Sequence, residues 1–138
     1  MVRLRYSLIC IAMVLVALTG CSVNKVAVTV GLGEIFTIGV GQSAQITGED
    51  MTVTFNGVIG DSRCPQNVTC VWQGVASNNT TIVYQDKDYT VVLNSPGLTE
   101  QAKETFINYT LIYSLSPYPR EGEEISPKDY QLTLKITK

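Results

Sequence analysis

The sequence predicts an all-β fold: a single antiparallel β-sandwich of Ig-like or Greek-key type, or a small barrel, behind an N-terminal signal segment. Three observations predict it. Apolar residues recur at period two, not 3.6, in one short segment after another. Gly, Pro and Asp clusters punctuate these segments as turns do. Threonine-rich faces oppose the apolar ones, as in a sheet with one wet side.

Val26, Val28 and Val30 form the first alternating set, with Ala27 and Thr29 opposite. Phe36, Ile38 and Val40 form the next, followed by Ala44 and Ile46. Gly48-Glu49-Asp50 reads as a turn, after which Met51, Val53 and Phe55 alternate with Thr52, Thr54 and Asn56. Ile82 and Tyr84 end a strand at the polar turn Gln85-Asp86-Lys87-Asp88, and Tyr89, Val91 and Leu93 leave it, a hairpin pattern. Tyr109, Leu111, Tyr113 and Leu115 form a further strand, and Tyr130, Leu132, Leu134 and Ile136 the last. Leu98, Ala102 and Phe106 fall at i, i+4, i+8 behind Ser95-Pro96, which predicts one or two helical turns there. Pro117, Pro119 and Pro127 make residues 116–129 a loop, because proline cannot donate within a central ladder.

The N-terminus carries a separate signal. Arg3 and Arg5 precede an apolar run from Leu8 to Leu18, and small residues lead into Cys21. The run is short of the roughly 20 residues a spanning helix needs, and the order is that of a secretory signal. Leu18-Thr19-Gly20-Cys21 resembles the lipobox of prokaryotic lipoproteins. That resemblance implies a diacylglycerol on the Cys21 thiol and cleavage just before it. The expected organisation is a signal peptide at 1–20, a lipidated tether at 21–25 and a β-sandwich at 26–138. The tether reaches about 13 Å when extended, which keeps the domain near its membrane. Ser22 is not the aspartate that resembles an inner-membrane retention signal, so a two-membrane cell sends the protein outward.

Loss of Arg3 and Arg5 leaves eight basic residues against twelve acidic ones, a formal charge near −4. With no basic patch, neither nucleic acid nor anionic lipid is an expected electrostatic partner. Cys10 leaves with the signal and Cys21 takes lipid, so Cys64 and Cys70 remain, in a compartment where disulfides persist. Zinc lacks ligands, since the chain has no histidine and two thiols do not complete a tetrahedral site. Asp86 with Asp88, and Glu121 with Glu123 and Glu124, lack the spaced oxygens of a calcium loop and read as solvated charges. No metal or cofactor is expected.

Residues 57–76 hold the most distinctive stretch. Asp61-Ser62-Arg63-Cys64-Pro65, then Cys70, Trp72 and Gly74, with Pro117-Tyr118-Pro119 later, resemble the signature of a group of short exported prokaryotic proteins. The resemblance implies a shared β domain and no reaction. Physically, Cys70 and Trp72 would share one strand face, with the indole buried beside a Cys64–Cys70 disulfide to seal one end of the sandwich. Asp61 is positioned to pair with Arg63 and to build a turn. Asp61, Arg63, Gln66, Asn67, Trp72 and Tyr118 make up the candidate binding loop. Asn67, Asn78, Asn79 and Asn108 each begin an Asn-x-Thr sequence, a glycosylation pattern that most prokaryotic hosts ignore.

Catalysis is the weakest function class. The commonest general base near neutral pH is absent, and no phosphate loop or nucleophile elbow occurs. The sequence points instead to a membrane-anchored, extracytoplasmic binding or structural module of the cell envelope. The alternative is an inhibitor or accessory factor of an envelope protease or assembly machine.

Overall fold

The computed structural model describes residues 27–98 and 100–138. The expected signal peptide at 1–20, the expected lipidation at Cys21, the expected tether and Val26 lie outside the described residues. Among the described residues, nine strands form two packed sheets. One contains β1 (Ala27–Gly31), β3 (Ser43–Thr47), β4 (Met51–Asp61), β5 (Val75–Tyr84) and β6 (Lys87–Pro96), in that spatial order. The other runs β2 (Ile35–Gly39), β9 (Gln131–Thr137), β8 (Tyr109–Ser116), β7 (Ala102–Phe106). Neither sheet closes on itself, so the fold is the expected sandwich and not a barrel.

One strand pair departs from the antiparallel expectation. β1 pairs with β3 in parallel, Ala27 beside Ser43 and Gly31 beside Thr47. The cause is the connection: the chain crosses to β2 in the facing sheet and back before β3, so β1 and β3 run in one direction. The other named pairs are antiparallel. The expected hairpin at residues 85–88 is tighter than a four-residue turn. Tyr84 pairs with Lys87, and only Gln85 and Asp86 connect them, both left-handed at φ 50° and 58°. Two left-handed residues match the right-handed twist of the strands they join.

The alternating sets supply the core. Phe36, Ile38, Ala44, Ile46, Met51, Val53, Phe55, Leu93 and Ile82 point inward, as do all four apolar members of the β8 set and of the final set. Val28 is half exposed because β1 is an edge strand, whereas Val30 is buried. Inside the first half of β5 the inward positions are Ala76, Asn78 and Thr80, with the Asn78 amide donating to the Ser95 hydroxyl at 2.9 Å. Asn78 is therefore core and no acceptor for a glycan.

The helical expectation between Leu98 and Phe106 is overturned. Leu98 lies in a turn with φ 61°, and Ala102–Phe106 is the edge strand β7, paired with β8 from Ala102 beside Tyr113 to Phe106 beside Tyr109. Three apolar residues over nine positions cannot specify a helix when the neighbouring β8 edge offers a full ladder of hydrogen bonds. Phe106 alone of the three is buried, edge-to-face with Tyr84 and Tyr89 at 6.3 and 5.2 Å between ring centroids.

Phe55 sits fully buried on β4, just before the register shifts that bend this strand. Phe55→Ala is expected to cost about 3–5 kcal/mol by equilibrium denaturation, as truncation of buried aromatics does. Ile35→Ala, at an exposed position, is expected to change stability by less than about 0.5 kcal/mol.

Candidate functional site

The distinctive stretch builds one end of the sandwich, where β4 and β8 leave their sheets. Arg63 follows β4 by two residues and turns inward, and its side chain is only 2% exposed. Its Nε donates to Asp61 Oδ1 at 2.9 Å and its Nη2 to Asp61 Oδ2 at 2.6 Å, the bidentate geometry a guanidinium favours. Nη1 donates to the Leu115 carbonyl and Nη2 to the Pro117 carbonyl, each at 2.9 Å. The Tyr118 ring stacks on the guanidinium, 4.9 Å from centroid to Cζ, and its hydroxyl accepts from the Leu98 amide at 3.1 Å. The Tyr130 hydroxyl donates to Asp61 Oδ2 at 3.1 Å. Asp61 and Arg63 thus join as expected, and Tyr118 joins them, in a structural clamp.

Burial disfavours the Asp61 carboxylate. Hydrogen bonds from the Arg63 side chain and backbone, the guanidinium charge and the Tyr130 hydroxyl outweigh that effect and hold its pKa below the ordinary 3.8. Burial, then the neighbouring Asp61 carboxylate, pushes the Tyr130 phenol up.

Beside the clamp, Cys64 and Cys70 form a disulfide with Cα atoms 6.0 Å apart. The bridged loop is tied to the 116–129 segment through the Gln66 amide, which donates to the Pro119 carbonyl at 2.9 Å. Asn67 is left-handed at φ 68°, a conformation asparagine tolerates better than most residues. Gln66, Asn67, Val68 and Thr69 face solvent.

Trp72 is not buried. It is 82% exposed and Val71 is 92% exposed, which overturns the indole seal expected from a strand through Cys70 and Trp72. The backbone explains why. Gly74 is left-handed at φ 68°, and a Cβ there would lie 1.8 Å from the Ser62 carbonyl oxygen. Its neighbour Gln73 accepts from the Cys64 amide, and Gly74 itself accepts from the Gly97 amide. Residues 73–74 are wedged between two backbones, so β5 starts only at Val75 and residues 70–72 bulge outward. The end is sealed by Tyr118 and Tyr130 around Arg63. Gly74 serves that close approach and leaves no room for an indole.

Between the bridged loop and residues 117–129 lies a groove of about 460 Å³, lined among others by Gln66, Tyr118, Arg120, Glu123, Glu124 and Asp129. Sequence reasoning named Gln66 and Tyr118 and read Glu123 and Glu124 as solvated charges, but did not single out Arg120 or Asp129, because a charge in a loop carries no periodic signal. Among the described residues, no three His, Cys, Asp or Glu side chains gather as metal ligands. No family model, curated protein or solved structure matches the chain.

Arg63→Ala strands the Asp61 carboxylate and two carbonyls, so it is expected to cost about 3–5 kcal/mol in urea unfolding. Trp72→Ala is expected to cost less than about 0.5 kcal/mol in the same assay; a loss of several would place the indole in the core. A depressed folded-state pKa means that the contribution of Asp61 is complete above the ordinary carboxylate value and is lost as pH falls through the lower one. Stability measured from neutral to acid should therefore drop below about pH 4, with a shallower drop in Asp61→Asn.

Proposed function

We propose that this chain is an extracytoplasmic lipoprotein, held to the cell membrane or outer membrane through Cys21, that serves as a non-catalytic binding or structural module of the cell envelope. The signal segment and its lipobox resemblance support the address. The likeness of the Asp61–Pro65, Cys70, Trp72, Gly74 pattern to short exported prokaryotic proteins supports it too.

The groove beside the bridged loop carries the binding part of the proposal. The charged pair Asp61 and Arg63 is spent on internal structure, while Arg120 stands exposed among Glu123, Glu124 and Asp129. One guanidinium among three carboxylates suits a polar or charged segment of a partner. Loops held on a rigid sandwich are the usual carriers of recognition. The inhibitor reading draws on a separate feature: the disulfide and the Gln66–Pro119 hydrogen bond pre-organise an exposed loop, which lowers the ordering cost of insertion into a partner's groove.

Cys21→Ala is expected to abolish lipid labelling in the native host and leave unprocessed precursor. Normal mature protein from that variant refutes the anchor. A photo-crosslinking residue at position 66 is expected to give a discrete envelope adduct that Arg120→Ala with Glu123→Ala removes. The same adduct from position 108, at the far end of the sandwich, would refute the groove as the working surface. Inhibition of an envelope protease that Gln66→Ala abolishes would favour the inhibitor reading.

A further inference from the structure

Six exposed apolar side chains gather around the loop end: Ile59, Val68, Val71, Trp72, Val75 and Leu98. Ile59 and Val75 line one shallow groove beside Asp61, and Val68 and Val71 flank Cys70. Leu98 follows Gly97, which packs against the Gln73 carbonyl. Val71 and Trp72 are the most exposed of these six.

The direction of β1 brings the proposed anchor to the same end. β4 runs toward the loops; β3 is antiparallel to it and β1 is parallel to β3, so the chain reaches Ala27 from the loop side. Ala27 is level with Ser43 and hence with Thr54, and Asp61 lies seven residues further along β4, at most about 23 Å away. Cys21 precedes Ala27 by six residue steps, a reach of at most about 20 Å. A fully extended tether therefore brings a lipid on Cys21 to within a few ångströms of the level of Asp61, at the base of the bridged loop.

We infer that the Val71–Trp72 tip rests in the interfacial layer of the bilayer to which Cys21 tethers the chain, an inference that rests on the lipid-anchor reading above. An indole has an apolar body and one polar N–H, which is why tryptophan concentrates where hydrocarbon meets headgroups. Tethering makes the contact intramolecular, so a small apolar tip suffices to orient the domain. The exposed Glu121, Glu123 and Glu124 follow Arg120, which bridges to Gln66, so acids and not basic residues border the bridged loop. The contact is therefore apolar, and added salt does not weaken it.

Trp72 is the sole tryptophan, so its emission reports the tip alone. The chain as matured in its own membrane is purified and reconstituted into vesicles of phosphatidylcholine and phosphatidylglycerol, and its intact mass is read from the same sample. The expected result is a diacylglyceryl mass with blue-shifted Trp72 emission. Lipids brominated near the headgroup end of the acyl chain should quench that emission, with no loss on adding salt. Val71→Asp, at an exposed position, should lose both the shift and the quenching. A lipidated protein whose Trp72 emission stays solvent-like and unquenched overturns the docking and leaves the anchor standing. A mature protein without acyl mass removes the anchor and this inference together. A blue shift without lipid quenching, the result of a second copy or another protein covering the tip, also overturns it.

Discussion

The loop end of this sandwich depends on one buried guanidinium. Arg63 comes from the exit of β4 in one sheet, and two of its acceptors, the Leu115 and Pro117 carbonyls, come from the exit of β8 in the other. Proline at 117 has no amide to continue the ladder, and the chain turns away there. A side chain with five fixed donors can gather such stranded carbonyls, and four of them are placed, two on Asp61. Lysine, a compact charge on a flexible stem, does not supply that planar fork. The clamp thus staples sheet to sheet where the apolar interior runs out.

Other features at this end follow from the staple. With Arg63 drawn inward, residues 62–64 lie against 73–75: the Ser62 amide donates to the Val75 carbonyl and the Cys64 amide to the Gln73 carbonyl, each at 2.9 Å. That separation admits no side chain at Gly74, and its left-handed backbone sends Val71 and Trp72 outward. The disulfide then closes a loop that is already held at its base. Its contribution is local shape, while the energetic burden falls on the buried pair and the aromatic rings around it.

The strands were legible in the sequence wherever one face is buried and the other wet. β2, β3, the first half of β4, β8 and β9 alternate because each has a core side and a solvent side. β5 was legible only at Ile82 and Tyr84, because Asn78 and Thr80 occupy inward positions and erase the alternation. β7 was not legible: an edge strand with a single fully buried residue owes its form to β8, a contact distant from local pattern. The Asp61–Arg63 pair could be read from proximity in the chain, but not its attachment to Leu115 and Pro117, more than fifty residues away. Trp72 failed for a related reason. Spacing places it on a strand face only if a strand exists, and the close approach at Gly74 delays β5 until Val75.

The two ends of the sandwich are fastened unequally. At the far end Glu49, in the β3–β4 turn, accepts from the Tyr109 hydroxyl on β8 and pairs with Lys138 at 2.8 Å, again joining the two sheets. Burial, then the Glu49 hydrogen bond, pushes the Tyr109 phenol up, and Lys138 with Tyr109 holds the Glu49 carboxyl below its ordinary value. Yet the Lys138 side chain is 51% exposed, and such an ion pair contributes little once water and salt screen it. Both side chains of the Arg63–Asp61 pair are at most 10% exposed, and the guanidinium is further fixed by two carbonyls and a ring. Of the two polar fastenings, the one at the Arg63 end is therefore the firmer. The groove and the exposed indole thus stand on the end whose ion pair is shielded from water and salt.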